Sequence, residues 1–436
     1  VGGIIGLDSV TTATAFNLST FQDGYWSLGA NIGGSTYTGD AGSLTAGAGN
    51  VYRLGGGGTS ITIDPTTAGS TLFTGVGAQV QIGRPDAWHS AGYNASMAVF
   101  NNDLNADHTG GTTISRGRDI GGGWYQAGLV VNGGNPTAST YRTPLGTGQV
   151  DVYGHLRFAS ANGGMVNAAG ANYASIVLHT GSRLTFDNRT AFVNAAGEGR
   201  YDNQASLTLN GAHLQVRGTN NINTIATNRE DIGELIIQRG SHLHLNVEGT
   251  GYAGLGVDSI TRGTHGTLTL YSVSSASGSN TLVNLAIGAN TAAGGVNDSA
   301  NFFVTNALNA PVMTNNMVAP WIVSRTEDQF LKYNATNGFQ IITQGSAPAN
   351  YRNPIAATTT LDGTVATLND GTEILDLGLA SGTQTLGANL DVHALRVGRN
   401  INQSSNGNFT QIRIRSGGLI FLANSPIINA NLSFGP

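Results

Sequence analysis

A short strand, a glycine turn and a second short strand recur about every 30 residues in this chain. The clearest copies are Ile176-Val-Leu-His-Thr-Gly181-Ser-Arg-Leu184-Thr-Phe186, Leu207-Thr-Leu209-Asn-Gly211-Ala-His-Leu214-Gln-Val216 and Leu235-Ile-Ile237-Gln-Arg-Gly240-Ser-His-Leu243-His-Leu245. Val150-Asp-Val152-Tyr-Gly154-His-Leu156-Arg-Phe158 is a copy with a shorter turn. The turn glycines Gly154, Gly181, Gly211 and Gly240 follow one another at 27, 30 and 29 residues, the differences between their numbers. A period in this range predicts stacked repeats, because one such unit cannot bury its own apolar side.

Alternation within each copy predicts the packing. Side chains on a strand point alternately to its two faces. Leu214 and Val216, third and fifth from their glycine, are therefore expected inside, and His213 and Gln215 outside. Glycine at each corner is expected to supply positive φ. Two corners per repeat would coil the chain into rungs about 4.8 Å apart. Similar strands are expected at Ile61-Thr-Ile63, Val80-Gln-Ile82, Leu268-Thr-Leu270, Leu395-Arg-Val397 and Ile412-Arg-Ile414.

Composition supports one elongated all-β body. Glycine accounts for 64 of 436 residues and proline for only 10, which excludes collagen-like and proline-rich chains. Four segments are expected: an irregular N-terminal rung or cap over 1–50, a β-helix over 51–275, an irregular loop-rich segment packed on it over 276–355, and a continuation of the β-helix over 356–436. Met313, Met317, Trp321, Phe330 and Tyr333 make the third segment an apolar cluster under loops or a docking surface.

Only 10% of residues are charged, the net charge is −5, and no basic run exists, so no nucleic-acid partner is expected. With no cysteine, neither disulfides nor thiolate metal sites are available. No apolar run is long enough for a transmembrane helix. The residues after Val1 do not resemble a signal peptide, and Asn431-Leu-Ser-Phe-Gly-Pro436 reads as the middle of a rung, so a longer parent chain is expected.

His108-Thr-Gly-Gly-Thr-Thr-Ile114, followed by Leu145-Gly-Thr-Gly148-Gln-Val-Asp-Val152, resembles the autotransporter-associated β-strand repeat of bacterial surface proteins. His108 stands where that family usually has tyrosine, and the insert carrying Trp124-Tyr125 is longer than usual. Arg229-Glu230-Asp-Ile-Gly233-Glu-Leu235, Pro320-Trp321 with Phe330, Tyr333 and Asn337-Gly338-Phe339, and Ser416-Gly-Gly-Leu-Ile-Phe421 resemble other parts of such proteins. The resemblance covers residues 100–436, and 1–99 only by composition. It implies a right-handed parallel β-helix (β-solenoid), the passenger part of a secreted protein at the bacterial cell surface. It supplies no catalytic residues.

Three groups are candidates for chemistry. The repeat alignment puts Arg183, His213 and His242 at one outward position, and Thr185, Gln215 and His244 at the next. His213, His242 and His244 are therefore weak metal candidates, with a solvated polar stripe as the plainer reading. Glu230-Asp231, Glu327-Asp328 and Asp370 with Glu373 are the local acids. None recurs at one offset in adjacent repeats, which favours turn or capping roles over catalysis. Trp26, Trp88, Trp124 and Tyr125 lie in glycine-rich loops, where Trp88, Trp124 and Tyr125 are possible partner or glycan contacts. No nucleophile elbow, phosphate loop or calcium repeat is present, and no cofactor is expected. The expected function is a non-enzymatic extracellular surface or filament protein that self-assembles or mediates adhesion, with a homo-oligomer, a head-to-tail polymer or surface glycans as partners. The alternative is a β-helical polysaccharide lyase or glycosidase.

Overall fold

The computed structural model of the protein describes residues 3–32, 35–57, 59–83, 98–101, 104–115, 128–132, 143–160, 163–165, 174–189, 199–218, 229–248, 252–275, 282–284, 299–342, 351–352, 360–361, 370–378, 382–403, 411–422 and 426–435. It is all-β, with two long sheets of 11 and 14 strands. Successive strands of the regular region go alternately to the two sheets. Val150–Val152, Ile176–Leu178, Leu207–Asn210 and Arg229–Arg239 are neighbours in the first. His155–Phe158, Arg183–Asp187, His213–Arg217 and Ser241–Glu248 are neighbours in the second. Each glycine-turn copy therefore gives one strand to each sheet, and like strands pair in parallel.

The register is the one expected from the repeat. Ile176 faces Leu207, and Leu207 faces Leu235. Leu184 faces Leu214, and Leu214 faces Leu243. Inward positions thus form continuous rows of buried side chains, such as Val152, Leu178, Leu209 and Ile237 in the first sheet and Leu156, Leu184, Leu214 and Leu243 in the second. Phe158 stacks on Phe186 in the next row, centroids 5.9 Å apart. Burying each such leucine or phenylalanine is worth about 1.5–3 kcal/mol, and one core cluster runs from Leu7 to Phe339.

The corners differ from the expectation. Gly181 and Gly211 have φ of 79° and 78°, but Gly154 and Gly240 are not among the positive-φ residues. At Gly240 the chain passes almost directly from Arg229–Arg239 into Ser241–Glu248, so the corner forms without a left-handed residue. The Thr-Gly-Gly-Thr-Thr corner has its own chemistry. Gly111 has φ of 92°, Nε2 of the buried His108 lies 3.0 Å from Thr112 Oγ1, and that hydroxyl donates to the Leu145 carbonyl at 2.9 Å.

Residues before 50 already supply strands to the long sheets, with Ile4–Asp8 pairing Ser27–Ile32 in parallel. Toward the other end, Ile322–Ser324 adds in parallel to Leu268–Ser275, then Gln329–Asn334 and Gly338–Ile341 return as antiparallel strands. Met317, Phe330 and Tyr333 are buried there, whereas Met313 is exposed. Beyond this hairpin the parallel pattern resumes in separate sheets of five and three strands with their own core around Leu377, Val397 and Ile414. A third cluster, Met317, Phe330, Ile342, Ile374 and Ala394, joins the two bodies. Arg396 ties them further, its Nε donating to the Asp328 carbonyl at 2.7 Å while its Nη1 donates to Asp376 at 2.9 Å. No helix among the described residues is long and apolar enough to cross a membrane.

The two kinds of corner make a testable contrast. Gly211→Ala forces a Cβ onto a left-handed residue, 3.0 Å from Thr180 Oγ1, and should lower unfolding free energy by about 1–2 kcal/mol. Gly240→Ala, with ordinary φ and Thr267 Oγ1 at 3.3 Å, should stay within about 0.5 kcal/mol of wild type. Urea unfolding of both variants checks this, and equal losses would remove the distinction between the corners.

Candidate functional site

The outward face of the second sheet gathers most of the side chains that could carry function. Its pairing continues the inward register, so outward residues also form rows. One row is His155, Arg183, His213, His242 and Thr269. The next is Val99, Val130, Arg157, Thr185, Gln215, His244 and Tyr271. The expected placement of Arg183, His213 and His242 in one row, with Thr185, Gln215 and His244 in its neighbour, is what the strands show.

A hydrogen-bonded chain links the rows. His155 Nε2 lies 3.0 Å from Thr185 Oγ1, Thr185 donates to Gln215 Oε1 at 3.3 Å, and Gln215 Nε2 lies 3.4 Å from His244 Nδ1. His244 then leans on Tyr271, with centroids 4.8 Å apart, and the Arg325 guanidinium sits 5.6 Å from the Tyr271 ring. Thr185 and Gln215, expected at the surface, are only 2% and 5% exposed. Their polar groups bond along the row instead of to solvent, which is how a buried hydroxyl and amide avoid a desolvation penalty.

The three imidazoles share a face but lie in two different rows. His213 and His242 stack with centroids 4.7 Å apart and planes at 29°, while His244 belongs to the adjoining row. Among the described residues no three histidine, aspartate or glutamate side chains are grouped so as to hold a metal ion. Burial first, then His242, Arg183 and Arg325, lowers His213 to about 4. Burial first, then Arg183, His213, Arg217 and Arg325, lowers His244 to about 4. Burial and Arg325 also lower His242. All three are therefore neutral near pH 7, next to permanent guanidinium charges.

Where the second row meets Arg157, a groove of about 520 Å³ opens, lined by Val99, Val130, Asn132, Arg157, Ser160 and Arg189 among others. Asp187 also lines it, with a side chain only 3% exposed. Arg189 grips that carboxylate with two hydrogen bonds of 2.7 Å, Arg157 donates to it as well, and Arg217 Nη1 stands 3.7 Å away. Burial works to raise the Asp187 carboxyl, but the Arg189 hydrogen bonds and the charges of Arg157, Arg217 and Arg189 outweigh it and hold the group well below the usual carboxylate range.

The acids singled out in the sequence occupy neither of these rows, although Glu327 and Asp328 lie in the turn that carries Arg325. Glu230 is buried in the first sheet, accepting from the Tyr201 amide at 2.7 Å. Asp231 is held by Arg229 at 2.6 Å. Glu327 accepts from the Ser324 hydroxyl at 2.6 Å in the hairpin. Asp370 caps its own turn, accepting from the Thr372 amide at 2.8 Å, and Glu373 is buried. Elsewhere, His179 Nε2 bonds Asp151 at 2.8 Å and stacks on Tyr153, but no hydroxyl completes a nucleophilic relay there among the described residues. Trp88, Trp124 and Tyr125 lie outside the described residues, and Trp26 packs near Phe21 with ring centroids 6.3 Å apart.

Arg157, Asp187, Arg189, Tyr271 and Arg325 were not singled out by sequence reasoning. Arg157 had a signal, since it occupies the offset of Thr185, Gln215 and His244 in its own copy. Arg325 had none, because it reaches the row through the hairpin. No family model, curated protein or solved structure matches this chain.

The buried carboxyl gives a signed pH effect. Burial, opposed by the Arg200 and Tyr201 amides and the Arg200 charge, pushes Glu230 up to about 7. Between its ordinary value of 4.5 and about 7, the folded state keeps a proton that the unfolded state has lost. This group's contribution therefore falls as pH rises through that window and is constant above it. Glu230→Gln keeps the acceptor for the Tyr201 amide and removes the titration. Its urea midpoint relative to wild type should rise between pH 5 and pH 8; an unchanged difference would mean that Glu230 does not titrate in this range.

Proposed function

We propose that the protein is a non-enzymatic extracellular or cell-surface rod, a right-handed parallel β-helix of the kind the autotransporter-associated repeat implies. The observation that carries this reading is the alternation of successive strands between two in-register parallel sheets over one core cluster that runs from Leu7 to Phe339. Parallel strands linked by repeated crossovers wind right-handed in nearly all proteins, and a stack of identical crossovers is a helix of rungs. Such a body acts by geometry. Its long faces hold outward rows at fixed spacing, and the outermost strands Ile4–Asp8 and Asn431–Phe434, each with one sheet neighbour among the described residues, leave backbone groups that can take a further strand, from more of the chain or from another copy.

The distribution of acids favours this reading over glycoside hydrolysis. Hydrolysis of that type uses two carboxyl groups facing across a sugar, separated by about 5–10 Å. The groove holds Asp187, which is committed to arginines, and Glu230, Glu327 and Glu373 sit on other elements with their own partners or buried.

Electron microscopy of the purified protein at low and high concentration tests the proposal. Rods at low concentration that join into fibres or sheets at high concentration are the expected result. Compact round particles at every concentration would overturn it. Cleavage of a polysaccharide that disappears in Asp187→Asn would replace it with the enzymatic reading.

A further inference from the structure

The outward face of the second sheet carries more than a structural rod requires. Its two adjoining rows, His155 to Thr269 and Val99 to Tyr271, contain no aspartate or glutamate, although the chain as a whole has a net charge of −5. They contain Arg157 and Arg183, and Arg325 extends the second row beyond Tyr271. In the following row Asp187 lies enclosed under Arg157, Arg189 and Arg217 and presents little of its charge to solvent.

We infer that this strip is a docking surface for an acidic polysaccharide, with sugar carboxylates against Arg157 and Arg325 and the sugar chain laid along the row between them. Charge complementarity is the first argument, since a planar guanidinium matches a carboxylate in two parallel hydrogen bonds. Geometry is the second. Arg157 and Arg325 are separated by five strand steps, roughly 24 Å at about 4.8 Å per step, and one step is close to the length of one pyranose unit. An extended saccharide can therefore meet each row position in turn.

The side chains between the anchors suit a sugar. The groove beside Arg157 offers Val99 and Val130 as an apolar floor for the C–H face of a ring, with the Asn132 amide and Ser160 hydroxyl at its rim. Farther along, the half-buried rings of His213, His242 and His244 border the path in the two rows. A single-stranded nucleic acid fits less well. It needs open aromatic faces for base stacking, and the one tyrosine of these rows has Arg325 over its ring and His244 leaning on it.

The test is titration of the full chain with polygalacturonate at low salt, beside a neutral galactan and single-stranded DNA. Polygalacturonate should bind and the galactan should not. Arg157→Gln and Arg325→Gln should each weaken binding roughly tenfold, the loss of one charged hydrogen-bonded contact. Arg239→Gln, which removes an exposed charge from the first sheet, should leave it unchanged. Arg157 also holds buried Asp187, so Arg325→Gln decides the matter if Arg157→Gln lowers the unfolding midpoint. No binding of polygalacturonate, DNA bound as tightly as polygalacturonate, or an equal loss in Arg239→Gln would each overturn the inference. The rod reading does not depend on any of these outcomes, because it is judged by particle shape.

Discussion

In-register parallel pairing between strands one repeat apart is the constraint on which the rest of this molecule depends. An interior strand must satisfy its amides and carbonyls with neighbours on both sides. Because side chains alternate, a slip of one residue would turn Leu184, Leu214 and Leu243 outward and carry Thr185, Gln215 and His244 into the core. The buried rows therefore determine the outward rows. Leucine burial keeps Gln215 beside His244 and His213 beside His242, although neither pair adds much cohesion of its own. A functional surface on such a body comes with the register that the core enforces.

The same constraint explains the buried charges. Arg200 is fully buried, with Nε donating to Asn188 and Nη1 to the Gly163 carbonyl, both at 2.6 Å. Burial lowers Arg200 to about 10, while Glu230, which feels its charge, is raised to about 7. These opposite shifts share one cause, since desolvation disfavours the charged form of each. Glu230 enters Arg229–Arg239 at the start of the strand, where the neighbouring repeat offers the Tyr201 amide instead of a strand partner. Its carboxylate satisfies a backbone donor that the ladder leaves open, and the cost is a group poised to titrate near neutrality.

Much of the regular region was legible because one signal, apolar alternation around a glycine, fixes strand, face and register together. It paired Arg183 with His213 and His242 correctly from spacing alone. It was less informative wherever a different interaction sets the structure. The corner at Gly240 looked like the one at Gly211, but only Gly211 adopts positive φ. Glu230 looked like a turn acid because buried amides that need an acceptor, those of Arg200 and Tyr201, leave no trace in composition. The separate core beyond residue 351 was hidden because its strands repeat the same alternation, and the break is made by an antiparallel hairpin whose tip is held through backbone carbonyls to Arg396. The burial of Thr185 and Gln215 was also invisible, because it depends on what their neighbours in the row do.

Stacking turns point features into lines, and this bears on how the two proposed roles coexist. A charge or a ring at one offset in a globular protein is a local event. Here the same offset recurs on the next strand, so Arg157, His244 and Tyr271 belong to one row although they are far apart in the chain. A line of this kind can match an extended polymer, and its affinity accumulates along its length even where each contact is weak. Joining rods end to end would use a different set of groups, the backbone donors and acceptors at the outermost strands. Side-chain rows and strand edges lie at right angles in a parallel stack. A rod could therefore lengthen without covering its binding row, and each added copy would extend the face available to the same polymer.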